Sequence, residues 1–66
     1  MMKIRLNGRD YETGARDVDA LLRELAAPQQ GVAVAVNGCV VRRAQHAATP
    51  LREGDRIEVI RAVQGG

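Results

Sequence analysis

The sequence predicts an α+β fold: a mixed five-stranded sheet with one main helix, in the order ββαβββ. Three observations predict it. Asn-Gly pairs occur twice, at Asn7-Gly8 and Asn37-Gly38, each between short runs that alternate or are rich in β-branched residues. Between them lies one segment, Val18 to Leu25, whose apolar residues are spaced for a helix. Val32-Ala33-Val34-Ala35-Val36 then sets a β-branched residue at every second position, as in a strand that packs one face on a core.

Taken in chain order, Lys3-Ile4-Arg5-Leu6 alternates polar and apolar, the period of a half-buried strand. Asn7-Gly8 suits a two-residue hairpin turn, whose central residues both need φ > 0. Arg9 to Thr13 reads as the returning strand, and Gly14 breaks it. Asp17 is placed to cap a helix of about three turns, its carboxylate accepting orphan N–H groups, and Asp19 suits the positive end of the helix dipole. Val18, Leu21, Leu22 and Leu25 fall at i, i+3, i+4 and i+7 and form one apolar face. Asp19 and Arg23 form an i,i+4 pair on the other side, worth about 0.3 kcal/mol. Pro28 is the expected stop. After the Val32–Val36 strand and its Asn37-Gly38 turn, Cys39 to Arg42 returns. Residues 44–50 form a connection of undefined shape, Leu51 reads as an apolar plug, Glu53-Gly54-Asp55 as a turn, and Arg56 to Ala62 as the final strand.

Composition narrows the function classes. Sixty-six residues make one domain, and a chain this small buries only roughly 60% of its unfolded surface. Phe and Trp are absent and Tyr11 is the sole aromatic, so the core is Val, Ile, Leu and Ala. Such a core leaves no room for a deep, preorganised catalytic pocket, and an autonomous enzyme is not expected. Ten Lys+Arg against eight Asp+Glu give a net charge of +2, with the charges interspersed. A basic stripe or stacking aromatics, the marks of a nucleic-acid binder, are missing. The single Cys39 excludes an internal disulfide and suits a reducing compartment. Met1-Met2-Lys3-Ile4-Arg5 opens no apolar run of signal-peptide or membrane-span length, so a cytoplasmic protein without a membrane role is expected.

A helix with one apolar stripe, set between two hairpins, has to lie across one face of the sheet. This is the β-grasp, or ubiquitin-like, arrangement, with residues 1–62 as the domain and 63–66 as a flexible C-terminal Gly-Gly tail. By analogy with that fold, the final strand sits centrally, between the first and third. Two glycines at the end of a strand add nothing to a core, and ordering them costs about 1–2 kcal/mol of backbone entropy each. Fraying is the usual fate of last residues. The functional alternative is a free carboxylate carried into a partner's active site on a backbone without Cβ atoms.

Four stretches carry a resemblance: Met2-Lys3-Ile4-Arg5-Leu6-Asn7-Gly8, Val34-Ala35-Val36-Asn37-Gly38, Leu51-Arg52-Glu53-Gly54-Asp55-Arg56-Ile57-Glu58-Val59, and Ala62-Val63-Gln64-Gly65-Gly66. Over its whole length the chain resembles the ThiS family, the sulfur-carrier proteins of thiamine biosynthesis. The resemblance implies a protein cosubstrate whose Gly66 carboxylate, presented by Gly65, is adenylated with ATP and becomes a thiocarboxylate that supplies thiazole sulfur. It implies as partners a ThiF-like (E1-like) adenylyltransferase, a ThiG-like thiazole synthase and a persulfide sulfur donor, with no cofactor or metal bound to the carrier itself. Val63 to Gly66, fully extended, would reach about 13–14 Å, enough to thread a narrow channel while the globule docks outside.

Docking residues follow from strand alternation. If Ile57 and Val59 face the core, Ile60 and Ala62 are exposed apolar residues, and with Val63 and Gln64 they form the expected partner surface. Arg61, Arg42 and Arg43 read as solvated charges. Cys39 reads as a packed or idle thiol, since no His or Lys neighbours it in sequence. His46 lacks a second ligand at metal spacing and reads as a surface residue, and Tyr11 as packing. Rival readings are the small subunit of molybdopterin synthase, which also ends in Gly-Gly, a protein-conjugation tag, and a non-covalent β-grasp binding module.

Overall fold

The computed structural model describes residues 1–27 and 31–61. Its strands are β1 (Met2–Leu6), β2 (Arg9–Thr13), β3 (Val32–Val36), β4 (Cys39–Val41) and β5 (Arg56–Arg61), and its helix is α1 (Val18–Glu24). The sheet order is β2-β1-β5-β3-β4. β5 is central: it pairs parallel with β1 and antiparallel with β3, as the analogy to the β-grasp required. Both hairpins turn at the expected pairs, with Asn7 at φ 51° and Gly8 at 81°, and Asn37 at 51° and Gly38 at 86°.

One face of the sheet is covered by α1, and the core lies between them. Ile4, Val34 and Ile57 from the sheet meet Val18, Leu21 and Leu22 from α1, with Ala15 and Leu51 closing the edges. Leu51 is the plug the sequence suggests. Asp17 caps α1, its Oδ1 accepting from the Ala20 N–H at 2.8 Å, and Arg23 pairs with Asp19 at 3.1 Å. None of the helices among the described residues is long and apolar enough to cross a membrane.

Two expectations need correction, and the connection left without a shape takes one. The helix has seven residues, about two turns rather than three. It ends in a Schellman motif: Ala27 N–H bonds Leu22 C=O at 2.9 Å, Ala26 N–H bonds Arg23 C=O at 3.1 Å, and Ala26 takes φ 56°. Glycine normally marks that left-handed position, so an alanine there hid the stop, while Pro28 lies outside the described residues. The 44–50 connection is a 3₁₀ segment, Arg43–Ala48. It turns His46 inward, 2% exposed, so His46 is a core residue and not a surface one. The physical reason is the 3₁₀ geometry, which gives even a six-residue connection an inner side. Neither ring nitrogen of His46 has a partner among the described residues.

A polar bridge joins β2 to the end of α1. Tyr11 OH donates to Glu24 Oε2 at 2.6 Å and Thr13 Oγ1 donates to Glu24 Oε1 at 2.9 Å. The Tyr11 hydrogen bond holds the Glu24 carboxyl below the usual carboxylate range, helped by Thr13 and the Gly14 backbone, while burial opposes them. The same bond, burial and the Glu24 charge push Tyr11 up. A lowered carboxyl stabilises the fold above its unfolded value, about pH 4.3, and that contribution is lost as pH falls through the folded value. Glu24→Gln should therefore lower the stability at pH 7, and the melting midpoint with it, the loss being no more than about 1 kcal/mol because the carboxylate is exposed and screened. The gap between variant and parent should close on acidification to about pH 3; a gap that stays constant across the titration would rule the carboxylate out as its source.

Candidate functional site

The site of interest is β5, up to its last described residue, Arg61. Alternation along β5 sends Ile57, fully buried, and Val59, partly buried, to the core, and leaves Glu58 and Ile60 on the open face of the sheet. Ile60 is 60% exposed. It has company that linear reading missed. The register sets Ile60 beside Ala33 on β3, and Val40 of β4 beside Ala35. Val40 is 76% exposed, so Ile60, Ala33, Ala35 and Val40 form an apolar group over three strands, with the exposed Glu58 set beside Ala35 on the same face. The signal was present in the small alanines alternating with Val32, Val34 and Val36, but only the β5–β3–β4 order brings them beside Ile60.

Ala62, Val63, Gln64, Gly65 and Gly66, the other residues assigned to docking and to the terminal chemistry, lie outside the described residues. The last described residue is Arg61, exposed and paired in register with Val32.

Both turn asparagines do more than turn. The Asn7 side chain brackets Val59: its Oδ1 accepts the Val59 N–H at 2.9 Å and its Nδ2 donates to the Val59 C=O at 3.4 Å. Asn37 serves the start of β5, its Oδ1 accepting the Arg56 N–H at 2.9 Å and its Nδ2 donating to Asp55 Oδ1 at 3.0 Å. Sequence showed these residues only as φ > 0 positions, because a side-chain bond across 52 residues leaves no local trace.

A cleft of about 320 Å³ opens at the turn end of the sheet, lined by Arg5, Gly8, Gly38, Arg56, Ile57 and Glu58. It lies at the opposite end of β5 from Arg61, and its lining contains no nucleophile or imidazole. Cys39 is free and exposed, so it is not a packed thiol. No group of three or more His, Cys, Asp or Glu among the described residues could hold a metal ion.

Comparison with known proteins bears on the whole chain. The ThiS family model matches residues 4–66. A crystal structure of the thiamine biosynthesis protein ThiS from Geobacter metallireducens is similar at 33% identity and a TM-score of 0.83, over 98% of this chain and 100% of that one. A solution NMR structure of a thiamine biosynthesis protein from the same organism gives a TM-score of 0.80 at 33% identity, over 98% and 88% of the two chains. A search of curated proteins finds no match.

Proposed function

This chain belongs to the ThiS family, and from that premise we propose that it is a sulfur carrier of thiamine biosynthesis acting through the carboxylate of Gly66. The observation that carries the reading is that the family match runs through Gly65 to Gly66, two residues with no side chain to bury. A carboxylate is a poor electrophile, because its charge repels nucleophiles. Attack of its oxygen on the α-phosphate of ATP releases pyrophosphate and leaves an acyl-adenylate with a good leaving group. A persulfide sulfur then attacks the acyl carbon and expels AMP. Attack of a second thiol on the donor-side sulfur of the resulting acyl disulfide forms a disulfide with the donor and releases a thiocarboxylate on Gly66, a soft nucleophile able to deliver sulfur to a thiazole synthase. The chain is a cosubstrate in these steps: the E1-like adenylyltransferase binds ATP and the persulfide donor brings sulfur.

Gly65 and Gly66 bring little recognition of their own, so selectivity falls to the globule. The patch of Ile60, Ala33, Ala35 and Val40 lies beside Arg61 on β5 and is the surface we assign to docking on the adenylating enzyme; we assign Ala62, Val63 and Gln64 to the same role. Ile60→Arg places a charge that must be desolvated against an apolar partner surface. It should weaken that complex about tenfold or more, roughly 1.4 kcal/mol, without shifting the melting midpoint, since Ile60 faces away from the core. Unchanged affinity by titration calorimetry would move the interface off this face.

The reaction itself is tested by intact mass. The chain is incubated with the E1-like enzyme, ATP and a persulfide donor, and fragmentation should place one sulfur-for-oxygen exchange on Gly66. Unaltered mass with all components active, or sulfur on another residue, would refute the carrier reading. Turnover of the product by thiazole synthase then separates the thiamine pathway from molybdopterin assembly.

A further inference from the structure

The open face of the sheet is divided. One half is apolar: Ile60, Ala33, Ala35 and Val40. On the other half the register sets Lys3 beside Glu12 and Arg5 beside Asp10, cation against anion. It then breaks that order, placing Arg56 of β5 beside Arg5 of β1. Like charges side by side on neighbouring strands destabilise a sheet. Arg5 is compensated: its Nη1 lies 3.6 Å from Asp10 Oδ1 and its Nη2 donates to the Gly8 C=O at 3.1 Å. Arg56 is exposed, and its side chain makes no hydrogen bond or ion pair among the described residues. Glu58, next along the same face of β5, forms no ion pair with either arginine. These three side chains line the cleft of about 320 Å³, whose other walls are Gly8, Gly38 and Ile57.

We propose that this cleft is the charged half of the docking surface and receives a carboxylate side chain of the adenylating enzyme on the Arg56 guanidinium, with Arg5 beside it. This rests on the docking reading above. A planar guanidinium offers a fork that matches a carboxylate with two parallel bonds. The cleft is continuous with the apolar patch, because Glu58 lines the cleft and stands beside Ala35. A partner seated on Ile60 and Val40 therefore borders it. Glu58 also selects the occupant. A phosphate group carries nearly two negative charges at neutral pH and would meet the Glu58 carboxylate in the same cleft. A protein segment can set one carboxylate on Arg56 and a neighbouring donor against Glu58. Ile60 then supplies apolar contact, and the cleft fixes which way round the enzyme sits, since complementary charge sets register and partner choice more than raw affinity.

Affinity and cross-linking test the assignment. Arg56→Gln should weaken the complex with the adenylating enzyme about tenfold and make it less sensitive to salt, because one interfacial charge contact is gone. Arg56→Lys should recover part of the affinity, keeping the charge and losing the fork. The melting midpoint should not fall in either variant, since the Arg56 side chain has no bond among the described residues to lose. Arg23→Gln removes the same charge from α1, which covers the other face of the sheet, and should keep the parental affinity. Arg56→Lys also sets an amine in the cleft. A carbodiimide, which joins amines to carboxylates without a spacer, should couple that amine to an Asp or Glu of the enzyme. Inorganic phosphate, raised at constant ionic strength, should leave the Gly38 and Arg56 amide resonances of the free chain unmoved. Parental affinity in Arg56→Gln while Ile60→Arg weakens the complex would overturn the cleft's role and leave the docking face standing. Parental affinity in both would remove the face and the cleft together. An equal loss in Arg23→Gln would mark an effect of net charge and overturn the proposal. So would saturable phosphate binding, or a complex of the Arg56→Lys chain that yields no cross-link through position 56.

Discussion

Leu22→Ala should destabilise the fold by about 2–5 kcal/mol, the range for deleting a buried leucine in a core that relaxes only partly. Leu22 is fully buried, as are Val18 and Leu21 beside it on α1 and Ile57 opposite on β5. Total stability at this size is small, at roughly 0.05–0.15 kcal/mol per residue, so the loss is a large share of it. The melting midpoint should fall at about 4–8 °C per kcal/mol, and some of the variant should be unfolded at ambient temperature. Leu22→Met, which nearly conserves volume, should cost less than about 1.5 kcal/mol and gives a folded comparison if the alanine variant cannot be handled. Deleting Gly65 and Gly66 should leave the midpoint almost unmoved, because a glycine has no side chain to bury and the buried cluster of the described residues runs from Ile4 to Ile57. Thermal unfolding of the three variants separates the two halves of the molecule. A midpoint that drops as far on trimming the glycines as on Leu22→Ala would make the terminus structural and remove the reason for assigning it chemistry.

That separation explains what the sequence made legible. The hairpins could be read because Asn-Gly specifies an uncommon backbone, and the helix because Val18, Leu21 and Leu22 repeat at the helical period. The face of β5 followed from two-residue alternation, which placed Ile57 inside and Ile60 outside. What escaped depends on contacts between distant segments or on a residue in an atypical role. Ala26 holds a conformation usually given to glycine, so the helix looked longer than it is. His46 looked like a surface residue because a 3₁₀ segment has too few residues to show a period. The Tyr11–Glu24 bond arises from how α1 lies against β2, and the Asn7 bonds to Val59 and the grouping of Val40 with Ile60 arise from strand order and register. For the candidate site, its apolar member Ile60 was readable, while the neighbours that make it a patch were not.

Adding one alanine after Gly66 should abolish both the acyl-adenylate and the thiocarboxylate. The extension leaves every element from β1 to β5 untouched, so the melting midpoint and the affinity for the adenylating enzyme should stay parental; only the end of the chain changes. The Gly66 carbonyl becomes a peptide, which is no nucleophile toward phosphorus, and the new carboxylate lies one residue, about 3.3–3.6 Å, further out. It also carries a Cβ beside the acyl carbon, where glycine left space for close approach. Because effective concentration in such tethered reactions depends on near-attack placement, docking without reaction is the expected result. Cys39→Ser should change neither product: Cys39 is exposed on β4, the edge strand, and the mechanism holds sulfur as a thiocarboxylate rather than a thiol. Pyrophosphate release and intact mass, read side by side for parent, extended chain and Cys39→Ser, decide the matter. Normal thiolation of the extended chain, or loss of product in Cys39→Ser with sulfur traced to that residue, would end the terminal-carrier mechanism. Parental docking combined with a silent terminus would place recognition on the globule and chemistry on the carboxylate of Gly66.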